Sequence, residues 1–394
     1  MKRLSIIVFP CAIFLTLAAL FLTRWAGASA MLPQRMRNAG ACGVWRTVAS
    51  PNVGTSYNTL SGVAAISAYN VWTVGAYGNG NGSFPLVEHW NGKMWKVVTS
   101  PIISGGLSGI TALSANNIWA VGSYTNASNN GQTLIEHWNG TSWSIVTSPN
   151  VAIFADGLAA ISAASASDIW AVGSVSGNIG YQLLFEHWNG ASWSIKSSQS
   201  VGSLTGVAAI ASNDVWAVGA AASTNNLQTL VEHWNGTTWS AVHSSGPGTV
   251  YNTLNGVAAI AANNVWAAGD DTNGVTPYAD YAPLIERWNG TTWSVVSIPL
   301  TGTSDLVNGI AAVSANNIWA VGDYRTGLDP NGPYFTLIEH WNGSKWSIVT
   351  SPSPGSTASD LTAATHVPAT SNVWSVGFTI GDSNSYQTLT AFYC

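Results

Sequence analysis

The sequence predicts an all-β fold, a seven-bladed β-propeller of four-stranded antiparallel blades, and three observations carry that expectation. A tryptophan-bearing unit recurs, its first Trp falling at Trp72, Trp119, Trp170, Trp216, Trp266, Trp319 and Trp374, at separations of 47, 51, 46, 50, 53 and 55 residues. An Asn-Gly pair stands at one fixed place in the unit: Asn91-Gly92, Asn139-Gly140, Asn189-Gly190, Asn235-Gly236, Asn289-Gly290 and Asn342-Gly343. The two ends of the repeat region are complementary parts of one unit. A period of roughly 40 to 50 residues with four short β-rich segments marks a propeller blade, because one such sheet cannot bury both its faces alone.

Each unit divides by local chemistry. The first segment is apolar, as in residues 256–260 (GVAAI), and the polar turn at Ala262, Asn263 and Asn264 ends it, since short polar side chains bond their own backbone. Residues 265–269 (VWAAG) form the second strand. Such runs are too short and too β-branched for helices. After a connection of variable length come the third and fourth strands, as in residues 134–149 (LIEHWNGTSWSIVTSP), with Asn-Gly between them. That dipeptide between two β-prone runs marks a hairpin in which both residues take φ > 0.

The last unit ends at residues 387–394 (QTLTAFYC), which match residues 132–139 (QTLIEHWN), so its fourth strand is missing. The missing piece stands near the other end, where residues 45–51 (WRTVASP) match residues 143–149 (WSIVTSP). The N-terminal strand is therefore expected to complete the last blade and close the ring, leaving no open sheet edge. In that alignment Cys394 replaces the turn Asn and Cys42 the turn Gly. A disulfide between them would stand in for the missing peptide link, as an even cysteine pair in an exported chain favours.

Export is read from the first thirty residues. Lys2 and Arg3 precede an uncharged, mostly apolar run over residues 4–23, and Ala28, Ser29 and Ala30 form a small-x-small cleavage pattern, which together read as a secretory signal. The run is long for a signal core and close to the roughly 20 residues that span a bilayer, so an uncleaved anchor is the alternative. Residues 1–30 are thus signal or anchor, 31–41 a linker, and 42–394 the propeller. Composition sets further bounds: 12 Lys and Arg face 17 Asp and Glu, for a net charge of -5, which leaves no cationic excess for nucleic acid. With 46% hydrophobic and 11% aromatic residues the chain has ample surface to bury and is not disordered.

A glycine closing the second strand, an apolar third strand and a Trp opening the fourth, as in residues 134–143 (LIEHWNGTSW), resemble a kelch-type blade. Kelch blades carry two glycines and a Tyr-Asp where this chain has one Gly and Glu-His-Trp. The Asn-Gly-x-x-Trp hairpin is also similar to hairpins of secreted propeller lectins and sialidase-like propellers. The resemblance implies the fold and leaves the function open. A galactose-oxidase-like copper site would use a Tyr crosslinked to a Cys, and both cysteines outside the leader are assigned to closure. A sialidase-like site would draw on several Arg, and the repeats hold Arg46, Arg287 and Arg325.

All six Glu occupy one repeat position, Glu88, Glu136, Glu186, Glu232, Glu286 and Glu339, followed by His89, His137, His187, His233, Arg287 and His340. Glu plus His suggests acid–base chemistry. Adjacent strand residues point to opposite faces, however, so the pair is read as structural, with Glu bonded to a Trp N–H or to backbone donors of the next blade. The Trp ladder is read as the wedge between blades. Glycosylation sequons at Asn126, Asn139, Asn235, Asn289 and Asn342 would matter only in a eukaryotic source.

Individuality is concentrated in the second-to-third and fourth-to-first connections. In an up-down-up-down blade both emerge on one face, where rigid scaffolds gather binding residues. The candidates there are Asp270, Asp271, Asp280, Tyr281, Asp323, Tyr324 and Arg325, with Tyr77 and Tyr124 in other units, and Tyr278, Asp329 and Tyr334 nearby. No cofactor or metal is expected: there is no EF-hand spacing for calcium, no Cys/His cluster for zinc and no nucleophile or phosphate-loop motif. The expected function is an exported, monomeric binding propeller that recognises carbohydrate or a protein partner through that face. A polysaccharide hydrolase or lyase with a rim active site, and an architectural cell-surface propeller, are the alternatives.

Overall fold

The computed structural model describes residues 42–80, 82–151, 155–177, 180–222, 226–248, 250–272, 281–327, 329, 332–381 and 385–394. The expected leader and linker, together with Tyr278 and Asp280, lie outside the described residues. Among the described residues every regular element is a strand. The strand β1 (Trp45–Thr47) precedes a four-strand unit of β2 (Tyr57–Ser67), β3 (Asn70–Gly78), β4 (Ser83–Trp90) and β5 (Trp95–Val97). The unit recurs as β6 (Gly105–Ser114), β7 (Asn117–Thr125), β8 (Gly131–Trp138) and β9 (Trp143–Ile145). It follows again as β10 (Ala155–Ser165), β11 (Asp168–Gly177), β12 (Gly180–Trp188) and β13 (Trp193–Lys196). Next come β14 (Ser203–Ala211), β15 (Asp214–Ala222), β16 (Leu227–Trp234) and β17 (Trp239–Ala241). Then β18 (Tyr251–Ala261), β19 (Asn264–Thr272), β20 (Ala282–Trp288) and β21 (Trp293–Val295) precede β22 (Ser304–Ser314), β23 (Asn317–Arg325), β24 (Tyr334–Trp341) and β25 (Trp346–Ile348). The chain ends with β26 (Ala358–His366), β27 (Val373–Ile380) and β28 (Tyr386–Tyr393).

Within a unit the strands pair antiparallel in chain order, as in β2 with β3, β3 with β4 and β4 with β5. The last three strands receive their fourth from the other end: β1 pairs antiparallel with β28, Trp45 opposite Tyr393 and Thr47 opposite Ala391. First strands of successive units pack on one another, β2 on β6, β10 on β14, β18 on β22, and β26 back on β2. The small residue after each inner-strand bulge, Gly in five strands and Ala160 or Ala363 in the other two, permits this approach, since a Cβ on Gly109 would meet the Ala160 Cα at 3.0 Å.

Tryptophans fill the spaces between units. The second-strand Trp of one unit meets both hairpin tryptophans of the next: Trp72 lies 5.0 Å from Trp138 and 5.8 Å from Trp143, and Trp216 lies 5.0 Å from Trp288 and 5.5 Å from Trp293. The same contact joins Trp374 to Trp90 and Trp95 at 5.1 and 5.2 Å, and Trp319 to Trp45 and Tyr393 at 5.4 and 4.5 Å. Edge-on and tilted pairs of this kind add about 0.5–1.5 kcal/mol each beyond the area they bury.

The hairpins differ from expectation in one respect. Gly92, Gly140, Gly190, Gly236, Gly290 and Gly343 have φ between 87° and 100°, but the preceding Asn residues do not enter the left-handed region. Instead the Asn139 Oδ1 accepts the N–H groups of Thr141 and Ser142 at 2.9 and 3.0 Å, and Trp138 faces Trp143 across a four-residue loop. Asn is therefore selected as an Asx-turn acceptor, and Gly both for its φ and because a Cβ there would stand 2.8 Å from the Asn116 Cβ.

Candidate functional site

The Glu/His ladder resolves into structure. Each ladder Glu is fully buried. Three of the six accept a hydroxyl from the connection that follows the preceding unit's outer strand, rather than the Trp N–H groups of the expectation: Ser100 donates to Glu136 at 2.7 Å, Ser198 to Glu232 at 2.9 Å and Ser244 to Glu286 at 2.5 Å, whereas neither carboxyl oxygen of Glu88 has a partner and Ser50, at the matching position, donates to Thr388 instead. Glu286 alone of these also takes a backbone N–H, from Gly246 at 3.1 Å. At Glu339 the corresponding position is Ile298 in place of Ser, and both its carboxyl oxygens lack a partner. The consequence is graded: burial pushes Glu136 up to about 7 against the Ser100 hydrogen bond, Glu88 to about 8 and Glu339 to about 9. The histidines lie on the opposite side, His89 stacked on Trp72 at 4.3 Å and bonded to Asn70 at 2.9 Å. Arg287 takes the same place, 5.1 Å from the Trp266 ring and bonded to Asn264. Glu and His therefore serve different interfaces and share no proton.

The end carrying the variable connections is built differently. Five of its fourth-to-first connections are pinned by a polar residue two before the buried Leu or Val of the inner strand, the other two units carrying Gly105 and Gly202 there. Asn58 accepts from Val53 N and Gly54 N, Asp156 from Val151 N, Asn252 from Gly248 N, Asp305 from Thr301 N and Gly302 N, and Ser359 from Gly355 N, at 2.5–3.0 Å. Sequence reasoning missed this row, although its spacing was visible in the repeat. The first strands line an open cavity of about 200 Å³ whose wall includes Ser61, Ser108, Thr205, Asn255, Asn308 and Thr362 at equivalent positions. Several of these tie neighbouring units together: Thr205 donates to Leu254 O, Asn255 to Val307 O and Thr362 to Leu60 O at 2.5–2.8 Å.

One sector of that end concentrates carboxylates. Asp270, next after the glycine of β19, accepts Asn255 Nδ2 and Val307 N, each at 2.7 Å. Burial still pushes it up to about 7. Asp323 occupies the same position on β23, and the residue matching Asn255 is Asn308. Asn308, however, donates at 2.9 Å to Asp360, on β26. Asp323 is buried at 5% exposure, and burial, then the Asp360 charge, raise its pKa while Arg325 opposes. Burial also raises Asp360, against the bonds from Asn308 and the Leu361 N–H. Arg325 stands 5.1 Å over the Tyr334 ring. Burial, then Asp360, lift Tyr334 to about 12.

The predicted residues thus separate. Asp270, Asp323 and Arg325 come together, joined by Asp360, Asn308 and Tyr334, of which the sequence reading named only Tyr334, as a neighbour. Asp271 lies on the other face of β19, half-buried, its carboxyl raised by burial. Tyr281 leads into β20 with its ring 6.2 Å from that of Tyr251. Tyr77, Tyr124 and Tyr324 are partly buried against separate hydrophobic clusters between units, and Tyr77 and Tyr324 pair with Phe84 and Phe335 at 5.6 Å. Cys42 and Cys394 stand side by side as thiols; burial, then the hydrogen bond with Cys42, push the Cys394 thiol up, and Gly43 N donates to Cys394 O at 2.8 Å.

No protein-family model matches the chain, and no curated protein matches it. Among solved structures it is similar to YCF48 bound to D1 peptide, with a TM-score of 0.54 and 14% identity over 90% of this chain and 98% of that one. It is also similar to the GH74 enzyme of Niastella koreensis, with a TM-score of 0.51 and 13% identity over 87% of this chain and 55% of that one, so it spans about half that enzyme's length. Both are β-propellers. At such identities the likeness shows the fold alone: the chain is an all-β propeller of repeated blades.

Proposed function

We propose that this chain is an exported, monomeric binding propeller of seven kelch-like blades, closed into a ring by its N-terminal strand, that recognises a polypeptide partner on the face carrying the variable connections. Twenty-eight strands in four-strand units and the tryptophan contacts from Trp374 to Trp90 and from Trp319 to Trp45 support the closed count. The observation that carries the function is one-sided asymmetry. The repeated Glu, His and Trp residues are consumed by packing, whereas Asp270, Asp323, Asp360, Arg325 and Tyr334 form a constellation that no other unit repeats, at the pinned, variable end. Rigid scaffolds with variable loops present binding surfaces there.

In the oxidising compartment that export implies, Cys42 and Cys394 give up two protons and two electrons to a thiol–disulfide exchange partner and form one bridge. The YCF48 structure holds a peptide, which fits a polypeptide partner better than a glycan. A hydrolase reading is favoured by one observation, carboxylates raised to different degrees in one sector, the pattern by which acid and base roles separate. The cavity of about 200 Å³ is below the roughly 300–1,000 Å³ of ligand pockets and suits a side chain better than an oligosaccharide.

Selection of a displayed peptide library on the folded protein, run beside a polysaccharide panel, tests the reading. Enriched peptides whose binding is lost in Asp271→Ala or Tyr281→Ala and kept in Thr141→Ala, on the opposite end, are expected. Release of reducing ends from a polysaccharide, abolished by Asp323→Ala, with no enriched peptide, would establish the hydrolase instead.

A further inference from the structure

The repeat provides its own control for Asp323. In the unit of β18–β21, Asn255 and Asp270 form a closed pair: the amide donates at 2.7 Å and the neighbouring unit's Val307 N–H completes the shell. In the next unit the same two positions are Asn308 and Asp323, but Asn308 turns to Asp360. At the position of Asp360, three before the glycine or alanine of the bulge pair and facing the second strand, the other inner strands carry Thr59, Gly106, Gly157, Ser203, Thr253 and Leu306. Asp360 therefore intrudes on a pair that the preceding unit makes without it, and it takes the donor.

Asp323 is left buried at 5% exposure. Among the described residues no hydrogen bond reaches its carboxyl oxygens, and Arg325, two residues along the same strand, is the cation that acts on it. Its equivalent Asp270 holds two protein donors, and the loss of both at Asp323 leaves a carboxyl whose partner must come from outside the fold, from water or from a ligand. A fold selected only for stability would place Ser or Ala here, as β7, β11, β3 and β15 do with Ser123, Ser174, Ala76 and Ala220.

We propose that Asp323 is the acceptor of a cation-recognition subsite, and that it takes a guanidinium or ammonium group from a basic side chain of the bound partner. The inference rests on the polypeptide-binding reading above and deepens it. The sector supplies what such a group needs. Asp323 and Asp360 offer acceptors for charge-assisted N–H bonds, the stronger class, and the Tyr334 ring already holds one guanidinium, Arg325, at 5.1 Å. Among the described residues no three acidic, His or Cys groups are placed to share one metal ion, which favours an organic cation over calcium. The groups facing Asp323 are Asp270 on β19, Asp305 on β22, Arg325 on its own strand and Asp360 on β26, with Tyr334 on β24 beside them. Three of these are further carboxylates, so without a ligand Asp323 keeps its proton, and an arriving cation displaces it.

The test uses the full-length protein and methylguanidinium chloride as probe, followed by calorimetry and by chemical-shift changes. Saturable binding is expected that tightens several-fold between about pH 6 and pH 8.5, with proton release. Asp323→Asn, which keeps the size and removes the charge, is expected to weaken it about tenfold or more, and Arg325→Gln to strengthen it by removing the competing cation. Circular dichroism and tryptophan fluorescence establish that both variants fold. No saturable binding at either pH, or equal binding by Asp323→Asn, overturns the subsite. So does saturable calcium binding that Asp323→Asn abolishes, which would assign a metal. Failure here is separable from failure of the parent reading: library peptides that bind the variable face without Lys or Arg leave the binding function standing and remove the subsite. Methylguanidinium binding with no enriched peptide does the reverse.

Discussion

The indole of Trp45, in the first strand of the repeat region, stands edge-on to that of Trp319 with ring centroids 5.4 Å apart. Trp45 is almost fully buried and belongs to one hydrophobic cluster with Trp319, Leu361 and Leu389. One end of the chain is thus part of the interior built by the other. Trp45→Ala removes a buried indole, a change that costs about 3–5 kcal/mol in other cores. It is expected to lower the denaturant midpoint strongly. Deleting residues 31–50 removes β1, bares the β28 edge and is expected to cause aggregation, measured by light scattering.

The proposed bridge between Cys42 and Cys394, which stand side by side as thiols, would be the covalent version of the same closure. Protein recovered from an oxidising compartment is expected to be lighter by two hydrogens before reduction than after it, with one linked peptide pair joining the two residues. Cys42→Ser is expected to lower the melting temperature and leave the fold intact, because the Trp45 to Tyr393 pairing remains. Two thiols that alkylate freely in the native, unreduced protein would contradict the bridge.

The buried glutamates set a pH dependence whose sign follows from their environment. Glu88 and Glu186 are held at about 8 and Glu339 at about 9, against an ordinary 4.5. The folded state therefore binds more protons than the unfolded chain between about pH 4.5 and 9, and stability falls as pH rises through that window. A melting temperature higher at pH 5 than at pH 8.5 is expected. Glu339→Gln mimics the protonated form and is expected to be near neutral at pH 5, to raise stability at pH 8.5 and to flatten the profile. A melting temperature that climbs from pH 5 to pH 8.5 would contradict the assignment.

Asn255 holds Asp270 and the next unit together. Asn255→Ala leaves the buried carboxyl with one donor fewer, and an unsatisfied buried polar group costs about 1–3 kcal/mol. Asn308→Ala should cost a comparable amount through Asp360, yet restore nothing to Asp323. Chemical denaturation of both variants checks the pair.

Much of this architecture was legible in the sequence because the repeat turns each local signal into several independent copies. The Trp spacing, the Asn-Gly hairpins and the match between residues 45–51 and 143–149 report local chemistry that tertiary context does not override. The φ of the turn Asn was misread because an Asx acceptor and a left-handed residue leave the same dipeptide. The ladder donors were misread because the Ser five residues after each fourth-strand Trp, repeated as Ser50, Ser100, Ser148, Ser198, Ser244 and Ser351, signals its period but not which neighbouring group it reaches, and that is decided by packing between units. In the candidate site, Asp270, Asp323 and Arg325 stood out as charges in an uncharged chain. Asp360 did not, because its effect depends on which carboxylate Asn308 faces, and that is decided by packing between units.

The proposed ring with a single binding face is tested by the hydrogen-exchange footprint of a library-selected peptide on the intact protein. Protection confined to the connections around residues 270–272, 301–305, 325–335 and 355–360, with none at the Asn139-Gly140, Asn235-Gly236 and Asn289-Gly290 hairpins, is the expected result. Protection at those hairpins, or spread evenly over both ends of the strands, would contradict it.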